Sequence, residues 1–328
     1  MTRPTLYITQ PICETCLGLL QEKMDVEMNP DSSSVLTREK LIEGVSRNDY
    51  LFCRLGDKVD EEVMDANHNL KLIATLASGW GEIDIEAARR RNIPVISRNN
   101  SLLQKPATDV SDETADMTWG LILAIARKIV EGDKLMRSGV FPGPQSLFCT
   151  CPKVHNTCLG IIGMGKIGKA VARRAFGFDM RVKYFSRTRY PEIETAYNAE
   201  FESLDSVLRT SDYVSIHLPY RAELHHIIGR KELALMKPTA FIINTSRGAL
   251  VDQDALYEAV LSGKIAGAAL DVYEDEPFPQ LPKDVMESNR FVLTPHLGSA
   301  VLETRLLMER EVVDNILLFL QREMKSEI

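Results

Sequence analysis

A glycine triplet at fixed spacing limits what this chain can fold into. Gly163-Met164-Gly165-Lys166-Ile167-Gly168 follows the apolar run Cys158-Leu-Gly-Ile-Ile162 and opens a stretch of helical character. In a strand–turn–helix context the first glycine permits a tight turn and the second lets the backbone approach a pyrophosphate. The third lets the helix pack on the strand. An anion placed there meets the exposed N–H groups and the positive dipole end of the helix that starts at Lys166. The segment is therefore expected to hold a dinucleotide, within an open parallel sheet.

The rest of the chain agrees with that architecture. Short runs rich in β-branched and aromatic residues (Leu6–Thr9, Tyr50–Cys53, Leu72–Leu76, Val95–Ser97) alternate with helical patterns near 14–24, 37–45, 61–67 and 85–91. Thr37 reads as an N-cap. A second series of strands follows Cys158–Ile162: Arg181–Phe185, Tyr213–Ile216, Ala240–Asn244, Ile265–Leu270 and Phe291–Leu293. Alternation of this kind means a parallel sheet with helices on both faces. The expected fold is α/β, with two doubly wound Rossmann-like domains. Residues 1–104 with the helical tail 299–328 form a flavodoxin-like substrate domain, and residues 105–298 form the dinucleotide-binding domain. Asn99–Asp109, polar and holding Pro106, reads as a hinge. Ser138–Asn156 reads as a loop.

Between them a long helix is expected from Asp109 or Ser111 to about Glu131. Its interior Met117–Ala126 is apolar on nearly every side, so either a central place in its own domain or an interface between copies accounts for it.

Several classes fall away on composition. At 328 residues, 45% apolar and 26% charged, the chain is ordinary globular material. A net charge of −7 argues against a nucleic-acid binder. No run reaches the roughly 18–20 apolar residues of a membrane span. The N-terminus reads as a first strand and lacks a signal peptide's apolar core, so a cytoplasmic location is expected. The six cysteines include Cys13-Glu-Thr-Cys16 and a Cys149, Cys151, Cys158 group. Neither group supplies four metal ligands, so free thiols and no metal are expected.

The end of the strand after the glycine loop indicates which dinucleotide. An NAD site places an acid there to accept from the ribose hydroxyls. Here Ser186 takes that place, followed by Arg187, Thr188 and Arg189. A hydroxyl and two guanidiniums suit a 2′-phosphate, so NADP (as NADPH) is preferred, with NAD the remaining possibility.

Three further residues stand just after strands: Arg247 in Asn244-Thr-Ser-Arg-Gly248, Glu276 in Asp271-Val-Tyr-Glu-Asp-Glu-Pro277, and His296 in Thr294-Pro-His-Leu-Gly298. Strand C-termini of an open parallel sheet converge on one crevice, so all three can face one ligand. A guanidinium clamps a carboxylate and polarises a carbonyl, and an imidazole paired with a carboxylate can donate a proton near neutral pH.

Taken together, Gly163–Gly168, Ser186–Arg189, Val214–Pro219, Asn244–Gly248, Ala269–Val272 with Glu276-Pro277, and Thr294–Ser299 resemble the D-2-hydroxyacid dehydrogenase family over essentially the whole chain, and within it the glyoxylate/hydroxypyruvate reductases. The resemblance implies that Arg247 orients substrate, His296 is the general acid/base and Glu276 is its partner. It implies that Ala77-Ser78-Gly79 offers backbone N–H groups to the substrate carboxylate. Asp271 and Thr245–Ser246 would hold the nicotinamide carboxamide, and His217, Leu218 and Pro219 would flank the adenosine. It further implies a homodimer joined through the 109–131 helix region, and reduction of a small 2-oxo acid by NADPH.

The sequence departs from the family pattern at Trp80-Gly81-Glu82, at Val140-Phe141 and Phe148, and in the length of 99–109, all near the implied substrate. Two rivals follow. One is NAD-dependent phosphite oxidation, from the His296–Val301 run and Arg305, against which stands Ser78 where those enzymes have Lys. The other is a non-catalytic NAD(P)H sensor, which has no need of Arg247, Glu276 and His296.

Overall fold

The computed structural model describes residues 3–77, 79–103, 105–144, 147–277 and 280–326. The chain forms two compact units, one running to Asp109 and resuming at Val301, the other spanning Val110–Ala300.

In the first unit the strands are β1 (Thr5–Ile8), β2 (Asp25–Met28), β3 (Tyr50–Cys53), β4 (Leu72–Thr75) and β5 (Val95–Ile96). They form a parallel sheet in the order β2-β1-β3-β4-β5, the flavodoxin-like order. Helices α1 (Glu14–Gln21), α2 (Arg38–Ser46), α3 (Glu61–Asp65) and α4 (Ile85–Arg90) connect them. Side chains define three of the starts: Thr37 accepts from the Lys40 N–H, Asp60 from Val63 and Asp84 from Ala87. Leu51 and Ile73 from the sheet pack with Val45, Val63 and Ala87 from the helices. The C-terminal helix Leu302–Ser326 lies beside α1 and β4.

The second unit holds α5 (Ser111–Ala126), α6 (Ile129–Arg137), β6 (Cys158–Ile162), α7 (Lys166–Phe176), β7 (Arg181–Phe185), α8 (Pro191–Tyr197), β8 (Ala199–Phe201), α9 (Leu204–Thr210), β9 (Tyr213–Ile216), α10 (Arg230–Leu233), β10 (Phe241–Asn244), α11 (Gln253–Leu261), β11 (Gly267–Leu270), α12 (Lys283–Glu287) and β12 (Phe291–Leu293). Its seven strands are parallel in the order β12-β11-β10-β9-β6-β7-β8. Counted within the unit, this is the dinucleotide-binding order with one further strand.

Sequence and structure differ at three places, each for a physical reason. Strands β2 and β8 escape a hydrophobicity reading because both are sheet edges. Asp25-Val-Glu-Met28 and Ala199-Glu-Phe201 are short and carry acids, as edges that avoid further pairing do. The helix expected to reach Glu131 ends at Ala126. Lys128 turns left-handed at φ 51°, and α6 restarts at Ile129. Val110 occupies the N-cap position, so neither Asp109 nor Ser111 does. Lastly, the 99–108 stretch is fastened to the first unit. The Asn315 side chain accepts from the Leu102 N–H at 2.6 Å, and Glu311 accepts from the Thr108 N–H at 2.7 Å. The unit boundary accordingly falls after Asp109 and not at 104.

Helix α5 serves its own unit. Trp119 stacks on Phe178 with ring centroids 4.5 Å apart and donates to the Val171 carbonyl, and Ile122, Ile125 and Ala126 join the same core. Large apolar side chains are exposed just beyond it: Ile129, Met136, Phe141, Leu147 and Phe148. Among the described residues no helix is long and apolar enough to cross a membrane. All six cysteines are unpaired.

Packing in the first unit is tight where α2 crosses β1. A Cβ on Gly44 would lie 2.2 Å from the buried Tyr7 ring. Gly44→Ala is expected to lower unfolding stability by about 1–3 kcal/mol through overpacking, measured by urea denaturation.

Candidate active site

The chain reverses its direction of travel across the second sheet between β6 and β9, which are neighbours. Such a switch point leaves a crevice at the strand C-termini. The glycine loop fills one side of it. Gly163 has φ 104°, and a Cβ there would stand 2.7 Å from the His217 carbonyl. Gly168 lets α7 close on the loop, since its Cβ would meet the Gly163 oxygen at 2.1 Å. Gly165 caps α7, and nothing lies within 4 Å of where its Cβ would be. Met164 is buried beneath this loop. These are the features a dinucleotide requires: an open α-carbon, a helix N-terminus and a tightly packed turn. Lys166 and Ile167 form the first turn of α7.

His217, on the other side of the switch point, is buried. Its Nε2 lies 2.8 Å from the Ser215 hydroxyl and its Nδ1 has no protein partner. Burial pushes its pKa down to about 3, so the ring is neutral at physiological pH. Leu218 packs on the core while Pro219 is exposed.

At the end of β7 the basic cluster is only partly available. Ser186 donates to the Thr188 carbonyl. Arg189 is clamped by Glu194, with Nη2 to Oε2 at 2.7 Å, while Arg187 is exposed.

Of the three strand-end residues of this unit, Glu276 and His296 are in contact, and the charge of Arg247 reaches Glu276. Asn244 side-chain atoms brace the Thr245–Arg247 turn, accepting from the Ser246 N–H and donating to the Arg247 carbonyl. Thr245 is buried against the Thr118 hydroxyl at 2.8 Å, and Ser246 donates to the Leu218 carbonyl. Gly248 then lets this turn press on the next one, since a Cβ would fall 1.9 Å from the Tyr273 carbonyl carbon. Beyond Tyr273, Glu276 Oε2 lies 2.6 Å from His296 Nδ1, and Glu276 Oε1 accepts from the Tyr273 N–H at 2.9 Å. Burial alone would raise the Glu276 carboxyl. The His296 bond and charge, the Tyr273 N–H and the Arg247 charge together hold it below its ordinary value.

Asp271 has a task that spacing alone does not disclose. Fully buried, it accepts from the Thr294 hydroxyl at 2.6 Å and from the Leu297 and Gly298 N–H groups at 2.7 and 2.8 Å. Both oxygens are thus engaged in shaping the turn that carries His296, itself at φ 56°.

In the first unit the Ala77–Gly79 loop follows β4. Ala77 receives the Arg98 N–H on its carbonyl and Gly79 is exposed; Ser78 lies outside the described residues. Sequence reasoning passed over two arginines at the strand ends of this sheet. Arg54 follows β3 and Arg98 follows β5, and burial together with the charges of both bears on the half-buried Arg305. The strand-end rule that picks out Arg247 picks these out as well.

Comparison with known proteins agrees with this geometry. A family model described as D-isomer specific 2-hydroxyacid dehydrogenase, NAD binding domain, matches residues 119–298. A glyoxylate reductase of Thermofilum pendens is 40% identical over 326 residues, covering 99% of this chain and 94% of its own. The TT0316 protein of Thermus thermophilus superposes with a TM-score of 0.83 at 36% identity, covering 97% of both chains. The NADPH-dependent glyoxylate/hydroxypyruvate reductase of Sinorhizobium meliloti, solved with NADP and malonate, gives 0.71 at 27%, covering 96% of this chain and 93% of its own. The chain belongs to the D-isomer specific 2-hydroxyacid dehydrogenase family and is an oxidoreductase.

The pH dependence of the Glu276–His296 pair has a definite sign. Because folding lowers the Glu276 pKa, its ionised form adds stability above the ordinary value of 4.5, and that increment is lost as pH falls through the lowered folded value. Glu276→Gln is expected to cost about 1–3 kcal/mol at pH 7, with the difference from wild type vanishing in strongly acidic buffer. Denaturant melts across the acid range measure it.

Proposed function

We propose that the protein reduces small 2-oxo acids, glyoxylate and hydroxypyruvate, to D-2-hydroxy acids, with NADPH preferred over NADH. The observation that carries the reading is the 2.6 Å contact of His296 with Glu276, beside the Arg247 turn and across the strand ends from the glycine loop.

When bound, the nicotinamide supplies a hydride to C2 of the oxo acid. The chain's own residues do the rest. His296, its Nδ1 fixed by Glu276, presents Nε2 to the carbonyl oxygen and gives it the proton as the alkoxide charge develops. Glu276 fixes the orientation of the ring through its contact with Nδ1. Arg247 polarises the oxo group and orients the carboxylate. Gly163–Gly168 seats the pyrophosphate, Thr245 and Ser246 the carboxamide, and His217–Pro219 flank the adenosine. Asp271 acts on this site by holding the His296 turn.

The cofactor preference rests on Ser186, which puts no negative charge where a 2′-phosphate would lie. Arg187 is the guanidinium open to that phosphate, since Arg189 is engaged with Glu194. Initial rates with NADPH and NADH on both acids test the reading. Faster NADPH turnover is expected, and Ser186→Asp should reduce that preference at least about tenfold, near 1.4 kcal/mol. His296→Ala should lose about 10²–10⁴-fold in kcat while NADPH affinity, read by fluorescence titration, stays within error. A fully active His296→Ala would overturn the assignment.

The reading includes a homodimer joined through the 109–131 helix region, where Ile129 is 55% exposed, together with the apolar residues that follow it; Phe141, Leu147 and Phe148 are 70%, 83% and 68% exposed. Apolar surface of that extent is ordinarily covered by a partner, here a second copy. Phe141→Ser with Phe148→Ser should halve the mass seen by light scattering; an unchanged mass would remove this surface from the interface.

A further inference from the structure

Outside the site just described, one group of reactive side chains has no part in the proposed reaction. Cys13 is the N-cap of α1 and Cys16 stands three residues on, facing the same side of the helix. Their sulfurs and a Glu309 carboxylate oxygen all lie within 4.8 Å of one another. Cys13 is half-buried and open to solvent, whereas Cys16 is 2% exposed. We propose that Cys13 and Cys16 form a redox-active dithiol that takes a small-molecule disulfide as oxidant and closes reversibly to an intrachain disulfide.

The geometry selects this over a metal site. A metal would need Glu309 as its third ligand, yet both carboxylate oxygens are engaged. Oε2 accepts from the Cys13 N–H at 2.9 Å, and Oε1 accepts from Arg54 at 2.8 Å. The Arg54 and Glu309 side chains are 14% and 6% exposed, so freeing the carboxylate would strand a buried guanidinium. Two sulfurs remain, which is a dithiol and not a coordination set.

The asymmetry of the pair assigns the roles. Half-buried Cys13, the more accessible of the two, attacks the incoming disulfide as a thiolate, forming a mixed disulfide and releasing one thiol. Cys16 then attacks the Cys13 sulfur, displacing the second thiol and forming the Cys13–Cys16 bond. Two electrons pass from the protein sulfurs to the oxidant, and the two thiol protons end on the two released thiols. Burial first, then its bond to Cys13 and the charges of Cys13 and Glu309, push the Cys16 thiol up to about 12.

The same contacts connect the pair to Arg54 at the end of β3. Arg54 also donates to the Pro11 carbonyl at 2.6 Å, so the 11–16 segment, Glu309 and Arg54 form one hydrogen-bonded unit. Closing the disulfide repositions Cys13 within it.

The test needs no turnover, so it stands apart from the proposed activity. The full folded chain is reduced, treated with oxidised glutathione, alkylated and digested with trypsin. The peptide ending at Lys23 contains Cys13 and Cys16 and no other cysteine. In the wild type this peptide should lose both alkylatable thiols and two hydrogens of mass, both restored by dithiothreitol. Cys16→Ser should instead retain glutathione on Cys13, since nothing displaces it. Cys53, fully buried, reports that the fold stayed closed. The proposal is overturned if both cysteines remain alkylatable, if the wild type keeps glutathione on Cys13, or if bound zinc withholds both thiols until chelated.

Discussion

The Asp271 carboxylate holds the strand C-terminal end of the second unit in shape. A buried charge must be met by donors or it destabilises the fold. Here the donors are the Thr294 hydroxyl and two backbone N–H groups of the turn after β12. The consequence is geometric. β11 and β12 are neighbours, and one carboxylate at the end of the first ties down the loop leaving the second. His296 rides on that loop in a left-handed conformation that the tie sustains, with its Nδ1 against Glu276. Loosening Asp271 would leave the His296 side chain intact and misplace it.

The second unit brings separate turns together by removing side-chain volume at the points of approach. Gly248 allows the Arg247 turn to lie on Tyr273, and Gly163 allows the phosphate loop to lie on His217. A Cβ at either place would meet backbone, which cannot yield as a side-chain tip can. The first unit follows a parallel logic with charge. Arg54 and Arg98 leave the ends of their strands and are held by acids of the C-terminal helix. That helix is distant in sequence, so its carboxylates link the tail of the chain to the first strands. Glu309 extends the linkage to the Cys13–Cys16 pair.

Much of this was legible in the sequence because its causes are local. Gly163, Gly165 and Gly168 answer to a strand–turn–helix whose requirements are set within a few residues. The central strands are continuous apolar runs because both faces of a parallel sheet are covered, so β3, β4 and β6 are recognisable from composition alone. Edge strands β2 and β8 carry no such signal, since an edge needs charge as much as apolar area. Lys128 gives no local sign that the helix breaks there.

What the sequence determined by itself was the alternation of elements, the dinucleotide loop and the residues standing at strand ends, because periodicity and turn chemistry act over short spans. What only the tertiary structure decided was which of those residues have their charges already engaged. Arg189 looks as available as Arg187 until α8 brings Glu194 against it. Asp271 shows its hold on the 294–298 turn, and Trp119 of α5 its stack on Phe178, only once those segments are packed together. A hydrogen-bonding group has a limited number of partners, and which partners it meets is settled by packing between segments far apart in the chain.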